Sequence, residues 1–301
     1  MKLAAIDIGT NSTRLLISDY HNNMFFTLER KMEITRLGSN LDKDNVISKD
    51  SARRTIKVLS AYWNLIRGYN VKKYRAIGTS ALRKASNSNW FVSSVEELPG
   101  IKVDVISGKE EARLSFYGAV RDLDLNYENN ISKPALKILV IDIGGGSSEF
   151  ILGDYKCNLE FTASVDIGCV SLTEKFIKTS LPDVKDLNQM RCYAKEKLKD
   201  TVKEIKKFKP ASIIGVAGTI TTLAAIDLKL DKYDSEKIHR YVLNLERIEE
   251  IYNFLCRMDI KNRKKVAGLD PKRADIIVGG AAIVMEVLKL LKFEYICVSE
   301  K

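Results

Sequence analysis

Two acidic residues stand on either side of a run of three glycines near the middle of the chain. Asp142 lies near the end of an apolar run, and Glu149 lies just past the turn 144–147, which reads Gly-Gly-Gly-Ser. Three glycines allow positive φ and can direct backbone N–H groups toward a bound anion. An unpaired carboxylate in a buried strand costs several kcal/mol, so Asp142 is expected to face a cation or a ligand. The segment predicts a strand, a phosphate-binding turn and a second strand; the alternative is a hairpin with a solvated Asp142 and Glu149.

The N-terminus repeats this pattern. The sequence Ile-Asp-Ile-Gly occupies residues 6–9 and again residues 141–144, so that Asp7 and Asp142 are 135 residues apart. Two copies at this distance are not a solenoid, whose repeats are about 20–50 residues long. They predict two like-built domains, each presenting a phosphate-binding turn to a shared cleft, with Asp7 and Asp142 facing each other across it.

Composition narrows the class of protein. Of 301 residues, 45% are hydrophobic and 29% are charged, which is typical of a globular chain of about two domains. The net charge of +10 favours an anionic partner, but no arginine-rich tail or aromatic-spaced basic motif selects nucleic acid. Five cysteines without C-x-x-C spacing and only two histidines argue against a zinc or histidine-rich metal centre. We expect a cytoplasmic protein with reduced cysteines, no signal peptide and no membrane span.

Three further segments have the composition of anion-binding loops. Residues 78–80 read Gly-Thr-Ser and lead from a predicted strand into a helix that holds Arg83, and Gly218 and Thr219 occupy a similar junction. Such junctions aim helix N–H groups at the end of a strand. Arg36 lies in a loop, and both arginines are candidate phosphate ligands or solvated side chains. Neither a Walker loop nor a dinucleotide fingerprint is present.

Two adjacent glutamates begin a helix after the predicted strand 101–106. Ser107 and Glu110 have the spacing of a helix-capping box, which gives Glu110 a structural role. Glu111 lies about 100° further round the helix, on the rim where the strand ends converge, and its carboxylate could accept a proton from water. The alternative is that Glu111 only interacts with the helix dipole. The polar segment 127–134 is the predicted domain junction.

Taken together, these residues resemble the exopolyphosphatase and guanosine pentaphosphate phosphohydrolase (Ppx/GppA) family in its short two-domain form. The matching segments follow the family order over nearly the whole chain: AAIDIGTNSTRLLI, ITRLG, IGTSALRKASN, VISGKEEARLSFYG, VIDIGGGSSEF, VAGTITTL and GLDPKRADIIVGGA. The resemblance implies an α/β fold of two actin-like (ASKHA, ribonuclease H-like) domains with the active site in the interdomain cleft. It implies domains at 1–127 and 135–282, with the last helix, about 283–301, packing back on the first domain.

The resemblance also implies roles for individual residues. Glu111 matches the family's general base, which activates a water molecule for in-line attack on the terminal phosphorus. Asp7, Asp142 and Glu149 would hold Mg²⁺ or Mn²⁺, directly or through water. The phosphate-binding residues that it implies are Gly9, Asn11, Ser12, Arg36, Arg83, Gly144, Gly145, Gly146, Ser147, Gly218 and Thr219.

The implied function is removal of the terminal phosphate from inorganic polyphosphate. The alternative within the family is removal of the 5′ γ-phosphate of guanosine pentaphosphate, and the motifs do not separate the two. A kinase of the same fold is disfavoured by a water-activating glutamate, and a polyanion sensor by four clustered carboxylates. Long members carry additional helical domains, so the short form is expected to prefer shorter chains. A homodimer is plausible, and binding to nucleic acid or membrane is not expected.

Overall fold

The structure is a computed structural model that describes residues 1–22, 24–39, 41, 45–121 and 136–300. The chain divides into two units, Met1–Ser107 and Gly108–Lys301. The predicted junction at 127–134 lies outside the described residues. Each unit has a mixed β-sheet and a hydrophobic core of its own.

Unit 1 is built on a five-stranded sheet in the order β3-β2-β1-β4-β5. Ser48 caps the first long helix by accepting a hydrogen bond from the Ser51 N–H, and Leu59 and Ile66 on that helix pack in the core beneath the sheet. The elements are β1 Lys2–Ile8, β2 Thr13–His21, β3 Met24–Glu33, α1 Lys49–Gly68, β4 Lys73–Gly78, α2 Ser80–Lys84, α3 Ser88–Glu97 and β5 Val103–Val105.

Unit 2 is built on a six-stranded sheet in the order β10-β11-β9-β6-β7-β8. Its central strand reads Ile-Leu-Val-Ile-Asp-Ile, a nearly continuous apolar run, because helices cover both of its faces. The elements are α4 Gly108–Arg121, β6 Ile138–Ile143, β7 Ser148–Gly153, β8 Leu159–Val165, α5 Cys169–Phe176, α6 Val184–Phe208, β9 Ser212–Val216, α7 Ala217–Asp227, α8 Ser235–Ile238, β10 Val242–Asn244, α9 Leu245–Cys256, α10 Ile260–Arg263, a 3₁₀ turn Pro271–Arg273, α11 Ile277–Leu291 and β11 Tyr295–Val298.

The sequence repeat corresponds to a structural repeat. Strands β8-β7-β6-β9-β11 of unit 2 have the order of β3-β2-β1-β4-β5 in unit 1, with three antiparallel strands followed by parallel ones. The turn after the first strand closes in the same way in both units. Gly9 N–H donates to Ser12 O at 2.9 Å, and Gly144 N–H donates to Ser147 O at 3.0 Å. The prediction of two α/β domains built in the same way is therefore confirmed.

Two details of the predicted domain organisation need correction. The structure divides at residues 107 and 108, ahead of the expected end of the first domain at 127, because α4 packs on the second sheet through Ala112 and Phe116. Residues 283–300, which were expected to pack back on the first domain, belong to unit 2. Helix α11 lies in the core of unit 2, and β11 hydrogen-bonds to β9 within the second sheet. An apolar helix near the end of the chain completes its own unit's core.

Two predictions about the chain's general character concern cysteines and membranes. All five cysteines are free thiols, as their spacing predicts. In the described ranges, every helix is too short or too polar to cross a lipid bilayer.

Candidate active site

A row of polar side chains crosses three neighbouring strands of unit 2. Asp142 on β6 lies opposite Glu149 on β7, and Glu149 lies opposite Ser164 on β8. Because side chains alternate along a strand, this row lies on the same face of the sheet as Val140, two residues before Asp142, and Ile151, which lies opposite Val140. The polar row thus ends an otherwise apolar face, where β6 runs into the glycine turn.

Helix α4 covers this face and brings in the predicted general base. Ala112 and Phe116 are buried against the sheet, and Phe116 fits because Gly153 lacks a side chain: a Cβ there would lie 2.8 Å from Phe116 Cζ. Glu111 and Ser115 are one turn apart on this helix. The Ser115 hydroxyl donates to Asp142 Oδ2 at 3.1 Å, which fixes the helix against the polar row.

The two adjacent glutamates have different surroundings. The Glu110 carboxylate accepts two hydrogen bonds from the Arg113 guanidinium, at 2.9 and 3.0 Å, on the solvent side of α4. Glu111 is partly buried, and its charge acts on Glu149. Arg113 thus engages Glu110, whereas the capping contact of Glu110 with Ser107 and the role of Glu111 stay predictions.

Glu149 is the most buried carboxylate of the cluster, with 1% of its surface exposed. The hydroxyls of Ser147 and Ser164 both donate to its Oε1, at 2.7 and 3.0 Å. Burial, together with the nearby charges of Glu111 and Asp142, raises the pKa of Glu149 to about 8 against the lowering effect of the two hydroxyls. The carboxylate cluster therefore favours bound positive charge, either a proton or a cation.

The donor set fits a hard divalent cation. Like charges directly opposite each other on paired strands are destabilising, and a cation between Asp142 and Glu149 would remove that repulsion. Oxygen ligands suit Mg²⁺ and Mn²⁺. Among the residues that the structure describes, no three His, Cys, Asp or Glu side chains converge as a metal centre made by protein ligands alone. Mg²⁺ commonly keeps several waters and binds through one or two carboxylates, so Asp142 and Glu149 would suffice.

The glycine turn is held from behind by helix α5. The carbonyls of Gly144 and Gly145 accept hydrogen bonds at 2.9 to 3.1 Å from the first N–H groups of α5. A Cβ at Gly168 would lie 2.4 Å from the carbonyl carbon and oxygen of Gly145, so that residue must be glycine. Within the turn, a Cβ at Gly144 would lie 3.0 Å from Ser147 O. Close packing therefore constrains both the turn and the residue behind it.

The predicted phosphate-binding junction at Gly218 and Thr219 also contains Arg273, which was not among the predicted site residues. Thr219 Oγ1 donates to Ile143 O at 3.4 Å, which ties the start of α7 to the end of β6. Arg273 is 5% exposed, and its guanidinium lies so close to Gly218 that a Cβ there would meet Nη2 at 2.3 Å. The preceding Ala217 has a φ of 68°, a left-handed conformation that costs about 1–3 kcal/mol in a non-glycine residue.

Unit 1 repeats the turn but not the carboxylate pair. The residue opposite Asp7 is Arg14, at the position that Glu149 occupies in unit 2. Neither atom of the buried Asn11 carboxamide has a hydrogen-bond partner among the described residues, as expected of a group that awaits a ligand. The Arg36 N–H donates to Asn11 O at 2.9 Å, so the arginine loop is attached to this turn.

The remaining candidates of unit 1 lie at the same end of its sheet. Arg83 extends from α2, and its Nη1 donates to Ile106 O at 3.1 Å, just past β5. Gly9 and Ser12 form the turn itself, with the Gly9 N–H used inside it. The structure thus groups Asp7, Gly9, Asn11, Ser12 and Arg36 around one turn and places Arg83 beyond the neighbouring strands. That the candidates of the two units face a common cleft stays a prediction.

The sequence profile of the Ppx/GppA phosphatase family matches residues 16–301. This chain belongs to that family. Over 97% of its length it is 33% identical to exopolyphosphatase 2 of Mycobacterium tuberculosis, and it covers 91% of that protein. It is 38% identical to the bifunctional 3-dehydroquinate synthase/phosphatase of Fusobacterium nucleatum, of which it spans only 44%.

Solved structures of the Ppx/GppA family agree with the fold described above. An exopolyphosphatase from Cytophaga hutchinsonii superposes with a TM-score of 0.89 at 29% identity, covering the whole of this chain and 94% of the other. The likeness extends across both units, so the chain has the architecture of its family.

The Ppx/GppA motifs point to Glu111, Asp142, Glu149 and the turn, but they do not reveal the hydroxyls that hold the carboxylates. Ser115 could have been found from its position four residues after Glu111, on the same helical face. Ser164 could not, because its place opposite Glu149 depends on the length of the β7–β8 connection and on a bulge between Leu152 and Gly153.

Proposed function

We propose that this protein is an exopolyphosphatase, which hydrolyses the terminal phosphoanhydride bond of inorganic polyphosphate and releases orthophosphate. The observation that carries the proposal is the cluster of Glu111, Asp142 and Glu149 beside a glycine turn in a Ppx/GppA phosphatase. The relative of M. tuberculosis, which this chain nearly covers, is named exopolyphosphatase. The net charge of +10 suits a polyanionic substrate.

Glu111 is the general base in this proposal. Its carboxylate accepts a proton from the water molecule that attacks the terminal phosphorus, while Glu110 is engaged by Arg113 on the outside of α4. The buried side chains of α4 hold the helix, and therefore the base, at a fixed height above the sheet. A positioned base contributes about 10²–10⁴-fold to the rate.

Asp142 and Glu149 hold the proposed divalent cation, Mg²⁺ or Mn²⁺, and Asp7 is the proposed ligand from unit 1. When bound, the cation neutralises charge on the phosphoryl oxygens. Ser115 orients Asp142, and Ser147 and Ser164 orient Oε1 of Glu149, which leaves Oε2 free of these hydroxyls. These hydrogen bonds fix the carboxylates before substrate arrives.

Phosphate contacts are assigned to the two turns and the arginines. Because Gly9 and Gly144 donate their N–H groups within the turns, they shape the turns and leave phosphate contact to the residues that follow. The proposed donors are Asn11, Ser12, Arg36, Arg83, Gly145, Gly146, Ser147, Gly218 and Thr219. The carboxamide of Asn11, which has no hydrogen-bond partner within the described ranges, supports this assignment most directly.

The test is release of orthophosphate from short polyphosphate, long polyphosphate and guanosine pentaphosphate, with Mg²⁺, with Mn²⁺ and with a chelator. Glu111→Ala should lower kcat about 10²–10⁴-fold on polyphosphate without loss of fold. Glu110→Ala is the matched control, since it alters the neighbouring carboxylate on the solvent side, and it should keep most of the activity. Comparable losses in both variants would refute the role of Glu111.

The second candidate function is removal of the 5′ phosphate from guanosine pentaphosphate, which the GppA part of the family name favours. Release mainly from the nucleotide would select it, and release from both substrates would assign both activities. If orthophosphate is released from none of the three substrates, the protein would instead be a kinase or a polyanion sensor. Retained activity in the chelator would refute the proposed cation.

We infer that the protein works in the cytoplasm, on free polyanions and not on nucleic acid or membranes. Five free thiols support a reducing compartment. Cell fractionation of the native protein checks the location, and secretion into the medium would contradict it.

A further inference from the structure

Arg263 is the most deeply buried charged side chain in the part of the chain that the structure describes, with 0% of its surface exposed. It is the last residue of the short helix α10. Its guanidinium donates from Nε to Met258 O at 3.1 Å, from Nη1 to Ala274 O at 2.7 Å and from Nη2 to Ser180 O at 2.8 Å. These partners are neutral carbonyls, and burial lowers the pKa of Arg263.

Stability alone is a poor explanation for a charge in this place. Replacing a buried charged group by an apolar side chain of similar volume often leaves stability unchanged or raises it. What a guanidinium adds is geometry, because its N–H donors form a rigid planar fork. The three carbonyls belong to three different connections, those between α5 and α6, between α9 and α10, and just before α11. Arg263 therefore fixes three irregular segments relative to one another.

One of these segments, residues 268–276, lies along helix α7. At its start, a Cβ on Gly268 would lie 2.1 Å from Ala225 O, so the backbone there touches the later part of α7. Further on, the guanidinium of Arg273 lies against Gly218, at the beginning of the same helix. The residue whose carbonyl the buried arginine holds comes directly after Arg273. The hydrogen bond from the buried arginine thus secures the end of the segment that lies at the candidate site.

We propose that Arg263 is a positioning residue for the reaction, which fixes the segment 268–276 on α7 and so holds the junction at Gly218 and Thr219 in the geometry that binds phosphate. The inference rests on the function proposed above, in which Gly218 and Thr219 are phosphate donors. The contact that transmits the effect is the one between Arg273 and Gly218. If the segment moves, the guanidinium of Arg273 moves with it, and the junction loses the side chain packed against it.

Positioning and simple stabilisation predict different kinetic changes. A misplaced phosphate donor weakens the binding of substrate and transition state alike, which raises KM and leaves kcat unchanged. A hydrogen bond to a charged group corresponds to about 10–100-fold in binding. A protein that is only less stable contains a smaller fraction of active enzyme, so its apparent kcat falls while the KM of the folded molecules stays the same. The ratio of the two effects therefore separates the two roles.

The experiment measures KM and kcat for orthophosphate release from short polyphosphate. Arg263→Met should raise KM about 10–100-fold and leave kcat within about threefold. Arg263→Lys keeps the charge and part of the donor set, so it should raise KM less. Arg191→Met is the matched control, because it removes another guanidinium of unit 2, whose Nε donates to the buried Glu286 Oε1 at 2.8 Å. The control should lower the free energy of unfolding and leave KM within about twofold.

A double-mutant cycle tests the contact between Arg273 and Gly218. Gly218→Ala places a Cβ 2.3 Å from Arg273 Nη2 and should raise KM by itself. When Arg263→Met has released the segment 268–276, the guanidinium can give way to that Cβ. The double variant should therefore show a smaller rise in KM than the product of the two single effects. Single effects that multiply would refute a path through this contact.

An unchanged KM in folded Arg263→Met or an equal rise in KM in Arg191→Met would also overturn the proposal. Circular dichroism tests the folding of each variant, and Arg263→Lys decides the matter if Arg263→Met does not fold. Backbone hydrogen exchange of the substrate-free protein is independent of activity. Exchange at residues 274–276 should speed up about tenfold or more in the Arg263 variants and not in Arg191→Met. If the wild type releases no orthophosphate, the proposed function fails, whereas unchanged exchange would refute the role of Arg263.

Discussion

Replacing Glu149 by glutamine should stabilise the metal-free protein at alkaline pH. Glutamine keeps the shape of the side chain and an oxygen for the hydroxyls of Ser147 and Ser164, which donate to Oε1 of Glu149. It removes a charge that is buried next to Glu111 and Asp142. The variant should therefore lack the destabilisation that the native carboxylate causes when it ionises.

The magnitude follows from the pKa of Glu149, which burial and the charges of Glu111 and Asp142 raise from its ordinary value of 4.5 to about 8. The folded protein thus holds its proton up to about pH 8, whereas the unfolded chain releases it above about pH 4.5. Stability contributed by this group is complete below about pH 4.5 and falls as the pH rises to about 8. A difference of about 3.5 pK units corresponds to a loss of up to about 5 kcal/mol, and Glu149→Gln should recover a large part of it.

The assay is urea denaturation in the presence of a chelator, at about pH 5 and about pH 9. At the lower pH the wild type and Glu149→Gln should have similar free energies of unfolding, and at the higher pH the variant should be more stable by several kcal/mol. Added Mg²⁺ should stabilise the wild type more than the variant, because the cation binds the ionised carboxylate. Glu97→Gln, an exposed carboxylate at the end of α3, is the control and should show neither effect.

The reasoning would be refuted by a variant whose stability at about pH 9 is equal to or below that of the wild type. It would also fail if Glu97→Gln gained as much stability as Glu149→Gln, since the gain would then reflect net charge and not burial.

Three further substitutions test the parts that support the site. Ser115→Ala removes the donor to Asp142 Oδ2 and should weaken Mg²⁺ activation about 10–100-fold, whereas Ser115→Thr should have a smaller effect. An unchanged Mg²⁺ requirement in Ser115→Ala would contradict the role of Ser115 in orienting Asp142. Gly168→Ala places a Cβ 2.4 Å from the Gly145 backbone and should abolish most phosphate release. Circular dichroism should show that the variant is folded, and full activity would show that the turn can shift. Phe116→Ala should lower the free energy of unfolding by about 3–5 kcal/mol in urea, and a loss below about 1 kcal/mol would mean that α4 is held by other contacts.

Much of the fold and of the candidate site follows from local sequence patterns. The offset repeat of Ile-Asp-Ile-Gly predicts the duplicated strand and turn, and the structure contains two sheets of matching order. The family resemblance implies that Glu111, Asp142 and Glu149 belong to one site, and the structure brings these three carboxylates together within unit 2. Such patterns succeed where the spacing along the chain fixes the geometry, as in a strand followed at once by a turn.

Features that depend on packing between distant segments were not predictable. The sequence after β5 does not reveal that α4 joins the second sheet, because its apolar side chains Ala112 and Phe116 would suit either one. Nor does it reveal that α11 fills the core of its own unit. The close approach of Arg273 to Gly218 joins residues 55 positions apart, and only the tertiary structure brings them together.

The different residues opposite the two aspartates bear on the history of the molecule. If the two units descend from one duplicated ancestor, a single cross-strand position has diverged to opposite charge, arginine at residue 14 and glutamate at residue 149. The copy with arginine is the one whose turn carries Asn11, a carboxamide with no hydrogen-bond partner among the described residues, whereas the copy with glutamate has two carboxylates opposite each other. Duplication would then have supplied two like scaffolds, and a change of charge at this one position would have left a carboxylate pair in only one of them.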